Sequence, residues 1–102
     1  MVIDKPTYKL DLLGSHVKAG TFNATLRETR SLINHGYNPE STIRDILQTI
    51  VDGRGSFKKS VKLKEAYADV YTVFALGQDW YVKFYITDEV LVLSCKYDSG
   101  GW

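Results

Sequence analysis

Cysteine is almost missing from this chain. Cys95 stands alone among 102 residues, so neither an internal disulfide nor a cysteine-built zinc site can form, and a stapled secreted fold is excluded. Histidine is scarce too: His16 and His35 are too few for most metal-ligand patterns, and no metal is expected. Charge of one sign is not in excess. Lys and Arg number 13 against 12 Asp and Glu, a formal +1, so a broadly basic nucleic-acid domain is ruled out and any such site must be local. Long apolar runs are absent. Asp4 and Lys5 interrupt the start, leaving nothing there of signal-peptide length, and nowhere does a run approach the ~20 residues that span a bilayer. The expectation is a soluble cytoplasmic protein without a membrane partner, one domain over 1–102, with the 44% hydrophobic and 25% charged make-up of ordinary globular chains.

What is present is a change of period near Gly53. Leu10, Leu12, Leu13 and Val17 predict a first helix, weakened by Gly14 and ended at Gly20. A second helix starts at Thr25, with Glu28 completing a capping box, carries Leu26, Thr29, Leu32 and Ile33, and stops before Gly36. Gly36-Tyr37-Asn38-Pro39 reads as a turn. Ser41 or Thr42 then caps a third helix whose Ile43, Ile46, Leu47, Ile50 and Val51 follow the i, i+3, i+4, i+7 spacing. Beyond it the apolar period is two: Trp80, Val82, Phe84 and Ile86 alternate with Tyr81, Lys83, Tyr85 and Thr87. Three helices followed by about four strands predict an α+β fold, an antiparallel meander with the three N-terminal helices packed on one face.

Strict alternation lets loop lengths fix neighbours. With Asp88-Glu89 as a two-residue turn, Tyr81 lies opposite Lys96, Lys83 opposite Ser94 and Tyr85 opposite Val92, while Trp80, Val82, Phe84, Leu91, Leu93 and Cys95 fill the core face. A loop of Gly77-Gln78-Asp79 pairs Leu76 with Trp80 and Phe74 with Val82, and sets Tyr71 beside Tyr85. The open face then carries Tyr71, Tyr81, Tyr85, Lys83 and Lys96, groups suited to RNA phosphates and unstacked bases. The same pattern also fits a plain solvated sheet face.

Lys58, Lys59, Lys62 and Lys64 form a second concentration of charge, with no acid until Glu65. They suit phosphate, or simply block edge-to-edge aggregation. Alternation points Lys58 and Lys62 outward and Lys59 inward, unless a bulge near Ser60 re-aims it. The remaining candidates carry little chemistry. His16 and His35 are not spaced as a ligand pair, Cys95 falls on the core face, and Gly53-Arg54-Gly55 lacks the Lys-Ser/Thr ending of a phosphate loop. Asp98-Ser99-Gly100-Gly101-Trp102 reads as a frayed tail.

Several segments in order carry a resemblance: Lys5-Pro6-Thr7-Tyr8, Ala19-Gly20, Phe57-Lys58-Lys59-Ser60-Val61, Asp69-Val70-Tyr71, Trp80-Tyr81-Val82-Lys83-Phe84, and Val90-Leu91-Val92-Leu93-Ser94-Cys95-Lys96. Over nearly the whole chain they resemble the MqsR-like toxins, the motility quorum-sensing regulator family of bacterial type II toxin-antitoxin systems. The resemblance implies a RelE-like fold and a metal-independent endoribonuclease, an mRNA interferase needing no cofactor. It also implies a zinc-containing antitoxin with a helix-turn-helix part as partner. Carried over residue by residue, the family's active site falls on Lys59, position 68, Tyr81 and Lys96, with Lys58, Lys62, Lys83, Tyr71 and Tyr85 as the surrounding substrate-binding set. Position 68 is Ala68, where the family has a glutamine.

Such a ribonuclease lets a 2′-hydroxyl attack the adjacent phosphate, which requires a proton acceptor, a proton donor and positive charge at the phosphorane. Tyr81 and Lys59 suit proton transfer, and Lys96 suits the phosphate. Two readings follow: an active RNA-cleaving toxin, or a catalytically degenerate member that only binds antitoxin or RNA. Ala68 is the feature behind the second.

Overall fold

In the computed structural model, residues 2–97 are described; the tail expected to be frayed lies outside them. The elements run β1 (Val2–Ile3), α1 (Leu10–Ala19), β2 (Phe22–Ala24), α2 (Leu26–Asn34), α3 (Pro39–Val51), β3 (Gly55–Lys62), β4 (Tyr67–Ala75), β5 (Gln78–Ile86) and β6 (Val90–Tyr97). This is the expected α+β order of helices and then sheet. The sheet holds two strands more than the period-two signal indicated. Its order is β1-β3-β4-β5-β6-β2, and β2 runs parallel to β6, so the sheet is mixed and not a pure meander. At two and three residues, β1 and β2 are too short to show a period.

The helices form where their end signals allow. Thr25 Oγ1 accepts the Glu28 N–H at 3.4 Å, yet the Glu28 side chain is buried, its Oε1 without a hydrogen bond and 3.9 Å from Arg27 Nη2, so the capping box is only half made. The third helix begins earlier than Ser41. Asn38 Oδ1 accepts the Ser41 N–H at 3.0 Å, and Pro39 occupies the first turn, where its missing N–H costs nothing. Gly14 is a contact and not merely a weak point: a Cβ there would meet Val51 Cγ1 at 3.2 Å, so its absence lets α1 approach α3. Leu13, Val17, Leu32, Ile43, Ile46, Leu47 and Ile50 pack from the helices against Tyr71, Val73, Trp80, Val82, Phe84, Val90, Val92 and Cys95 of the sheet. All three helices therefore cover one face. Among the described residues, no helix is long and apolar enough to cross a membrane.

Two registers differ from expectation. Residues Leu76 and Gly77 alone join β4 to β5, both at positive φ (55° and 76°), a two-residue turn that pairs Ala75 with Gln78 and Val73 with Trp80. The Trp80 indole N–H donates to the Ala75 carbonyl at 2.8 Å and fastens that hairpin. An odd shift from the expected pairing exchanges the two faces of β4. Tyr71 and Val73 turn into the core, and Phe74 turns out. Between β5 and β6 the loop is odd, Ile86 pairing with Val90, but one extra residue in β6 between Val92 and Ser94 restores the phase. Val90, Val92 and Cys95 fill the core in place of Leu91 and Leu93, and Tyr85 faces Leu91, not Val92.

The N-terminal segment, besides pairing β1 with β3, is tied to the sheet around the buried Asp69. The Asp69 carboxylate accepts the N–H groups of Thr7 and Tyr8, both at 2.9 Å, while Thr7 Oγ1 and Ser60 Oγ share a hydrogen bond and the Tyr8 hydroxyl donates to the Tyr67 carbonyl. Two segments 60 residues apart in the sequence are thus one contact.

Candidate nucleic-acid interface

The face of the sheet away from the helices is built by the pairing of β3 through β6. One row across it reads Ser56, Thr72, Tyr81, Lys96, and the next reads Lys59, Val70, Lys83, Ser94. Rows on one face are two residues apart, roughly 7 Å, and neighbouring strands about 4.8 Å. Tyr81 and Lys96 are direct cross-strand partners, as the hairpin arithmetic anticipated.

Simple alternation would turn Lys59 inward; a bulge re-aims it, at Lys58 and not near Ser60. Phe57 pairs with Tyr71 and Lys59 with Val70, leaving Lys58 as the extra residue, so the strand changes phase and Lys59 joins the open face while Phe57 stays packed on Tyr71. Without that one residue Lys59 would point among the helices. By strand and row spacing its Cα stands about 12 Å from that of Tyr81, with Val70 and Thr72 between them. Ala68 and Val70 belong to this face by alternation yet are fully buried.

The other expected residues divide. Lys83 and Tyr85 share the open face, half-buried. Lys58 is exposed at the bulge. Lys62 pairs with Tyr67 on the opposite phase, its ammonium 5.6 Å from the Tyr67 ring, and so stands apart from Lys59. Tyr71 is the clear correction: only 5% exposed, its ring is stacked on Phe84 at 5.9 Å, and burial, with the Asp69 carboxylate second, pushes its phenol above the ordinary range. It is a core residue. The cause is the Leu76-Gly77 turn, which reverses the phase of β4. Cys95 is buried as expected, and burial reinforced by Glu28 pushes its thiol up to about 12, far from nucleophilic use.

Chemically, the open face offers ammonium groups on three strands, the phenols of Tyr81 and Tyr85, and the hydroxyls of Ser56, Thr72 and Ser94. Among the described residues, no group of three or more His, Cys, Asp or Glu side chains could hold a metal ion.

An α+β domain of helices then sheet, with a lysine and tyrosine face left uncovered, fits the toxin class that the ordered segments resemble. The family described as "Motility quorum-sensing regulator, toxin of MqsA" matches residues 5–97, nearly the whole chain, and this protein belongs to it. Membership makes it a toxin of a toxin-antitoxin system and implies a cognate antitoxin. A comparison with proteins of curated function gives no match.

Proposed function

We propose that this toxin is a metal-independent endoribonuclease acting on messenger RNA in the cytoplasm, with Lys59, Tyr81 and Lys96 as its catalytic residues. The observation that carries the reading is the bulge at Lys58, a local irregularity whose effect is to put Lys59 on the face that holds Tyr81, Lys83 and Lys96. A 2′-oxygen attacks the adjacent phosphorus as its proton leaves, the bond to the 5′-oxygen breaks, and that oxygen takes up a proton, giving a 2′,3′-cyclic phosphate and a free 5′-hydroxyl. Tyr81 and Lys59 share the two proton transfers. Lys96, across from Tyr81, neutralises the charge that develops on the phosphorane oxygens, and Lys83 holds a flanking phosphate. The antitoxin that silences it is a zinc-containing protein with a helix-turn-helix part.

Ala68 favours a second reading. A methyl group stands where the family's amide would reach the substrate, and it is fully buried on the open face. On that reading the face still binds RNA or antitoxin without cutting. Incubating the purified toxin with an unstructured RNA in EDTA separates the two. Cleavage to cyclic-phosphate ends supports the nuclease, and intact RNA that is nonetheless bound supports the binding module.

A further inference from the structure

The two-residue turn that buries Tyr71 expels Phe74. With 65% of its surface open, Phe74 is the most exposed of the large apolar side chains among the described residues. It lies on the face of β4 that carries Ala68, Val70 and Thr72, directly opposite Asp79. Tyr81, two residues beyond Asp79 and 39% exposed, is its diagonal neighbour, a separation of about 7–8 Å that aromatic side chains bridge. Among the described residues no ring packs on Phe74, so its face is open to a base. The charge of this face is graded: the exposed carboxylate of Asp79 stands opposite Phe74, the guanidinium of Arg54, which lines a pocket with Phe74, is paired with Asp52 at 3.3 Å, and Lys96, Lys83 and Lys59 follow on and beyond the Tyr81 row. A phosphate is held at the lysine end, where three ammonium groups gather, and not at the Phe74 end, where the one guanidinium already has a carboxylate partner. A base, uncharged and flat, suits the Phe74 end.

We infer that Phe74 is a stacking platform for an unstacked base of single-stranded RNA, in a nucleotide adjoining the one whose phosphate lies among the lysines. This rests on the reading of the open face as an RNA site, but needs only binding and not cleavage. Base stacking on aromatic rings adds to the phosphate contacts in single-strand binding and is tolerant of sequence. Leu76, 47% exposed at the adjoining turn, extends the apolar patch, so the competing use of Phe74 is contact between two copies of this chain.

The test uses the full chain and a fluorescein-labelled single-stranded RNA whose 2′-O-methyl groups prevent self-cleavage, read by anisotropy. Phe74→Ala and Phe74→Leu should each weaken binding roughly 10-fold or more, since leucine keeps the apolar surface but has no ring face. Phe74→Trp should bind as the parent does, with its indole emission quenched by the RNA. An abasic strand should bind parent and Phe74→Ala alike. Thermal melts should be nearly unchanged, because the side chain is mostly in water. If the Phe74 variants bind like the parent while Lys59→Ala binds weakly, the stacking site is wrong and the RNA face stands. If the parent itself does not bind, both fall. If Phe74→Ala changes the sedimenting species and leaves affinity intact, Phe74 is an interface between copies and the inference is overturned.

Discussion

Lys59 and Lys83 are paired with the same residue, Val70, one from each side of β4, so two ammonium-bearing side chains flank the middle of the open face. With Tyr81 and Lys96 in the adjoining row, they surround a patch whose floor, Val70 and Ala68, is apolar and closed to water. Charge set around a dry floor acts on a phosphorane more strongly than the same charge in water.

The first prediction concerns that set. Lys59→Ala, Tyr81→Phe and Lys96→Ala should each lower RNA cleavage by roughly 10- to 10⁴-fold, the range for loss of a proton-transfer or charge-stabilising group. Their melts should match the parent, since none of the three side chains is in the core. Single-turnover assays of all three decide it; undiminished cutting by every variant would move the site elsewhere.

Much of this arrangement is legible in the sequence, and the parts that are not have identifiable causes. The Tyr81 and Lys96 pair follows from alternation, although the route to it contains two compensating irregularities: an odd β5–β6 loop and one extra residue in β6. Val92 shows the phase that was hidden between them, since it sits in the core and not opposite Tyr85. The β4–β5 turn is hidden for a different reason. A turn with positive φ at both central residues normally announces itself as Asn-Gly, and Leu76-Gly77 does not. That misread turn alone sends Tyr71 to the wrong face and Phe74 into the core. Asp69 is a third kind of case: no spacing rule connects it to Thr7 and Tyr8, because a buried side-chain contact over that distance leaves no periodic trace.

Leu76 provides a stability test. A leucine held at φ 55° carries strain that asparagine largely avoids, and Leu76 is half-exposed at a hairpin tip. Leu76→Asn should raise stability by about 0.5–1 kcal/mol, a gain of several degrees in Tm for a domain of this size. A lower Tm would mean that the Leu76 side chain contributes more by packing than its backbone loses by strain.

Asp69 should behave in the opposite sense. Asp69→Ala leaves the Thr7 and Tyr8 N–H groups without their acceptor, a loss of roughly 3 kcal/mol or more given that hydrogen bonds to charged groups are worth about 1.5–3 kcal/mol each. Asp69→Asn retains one acceptor oxygen and should lose about half as much. Urea titrations of the three proteins give the order; equal stability for Ala and parent would show that the N-terminal segment is held by Tyr8 and Ser60 contacts alone.

Alkaline pH should expose the cost of burying Cys95. Its thiol is raised from 9.0 to about 12 by burial and, secondarily, by the Glu28 carboxylate, and the phenols of Tyr71 and Tyr8 are raised as well, chiefly by burial. Each of these groups holds its proton more tightly when folded. Their contribution is therefore complete below the unfolded-state value and is lost as pH climbs toward the folded one, from pH 9.0 toward about 12 for the thiol. Cys95→Ala should remove roughly 1 kcal/mol per pH unit of that fall, seen by comparing urea midpoints at about pH 8 and about pH 10.5. Parallel curves for parent and variant would mean that the thiol does not ionise with unfolding.

The last prediction takes up Ala68, where the family resemblance implies a glutamine. Ala68 pairs with Val61 on β3 and precedes Asp69, and its phase puts it on the open face, next along the strand from Val70. A glutamine amide there would lie among Lys59, Lys83 and Tyr85, able to donate to a phosphate oxygen or to meet a base edge. One hydrogen bond to a charged group is worth about 1.5–3 kcal/mol, or roughly a 10- to 100-fold rate if it is made in the transition state. The methyl is fully buried, however, so the longer side chain must push aside whatever covers it, at a cost of about 1–3 kcal/mol in folding stability. Ala68→Gln should therefore cut RNA faster and melt lower. Single-turnover cleavage and thermal melts of the two proteins test both halves at once. A lower Tm with no gain in rate would mean that the site has been rebuilt around alanine, with its neighbours already doing what the amide does elsewhere in the family; a gain in rate would show that the rest of the machinery is intact and lacks only this donor.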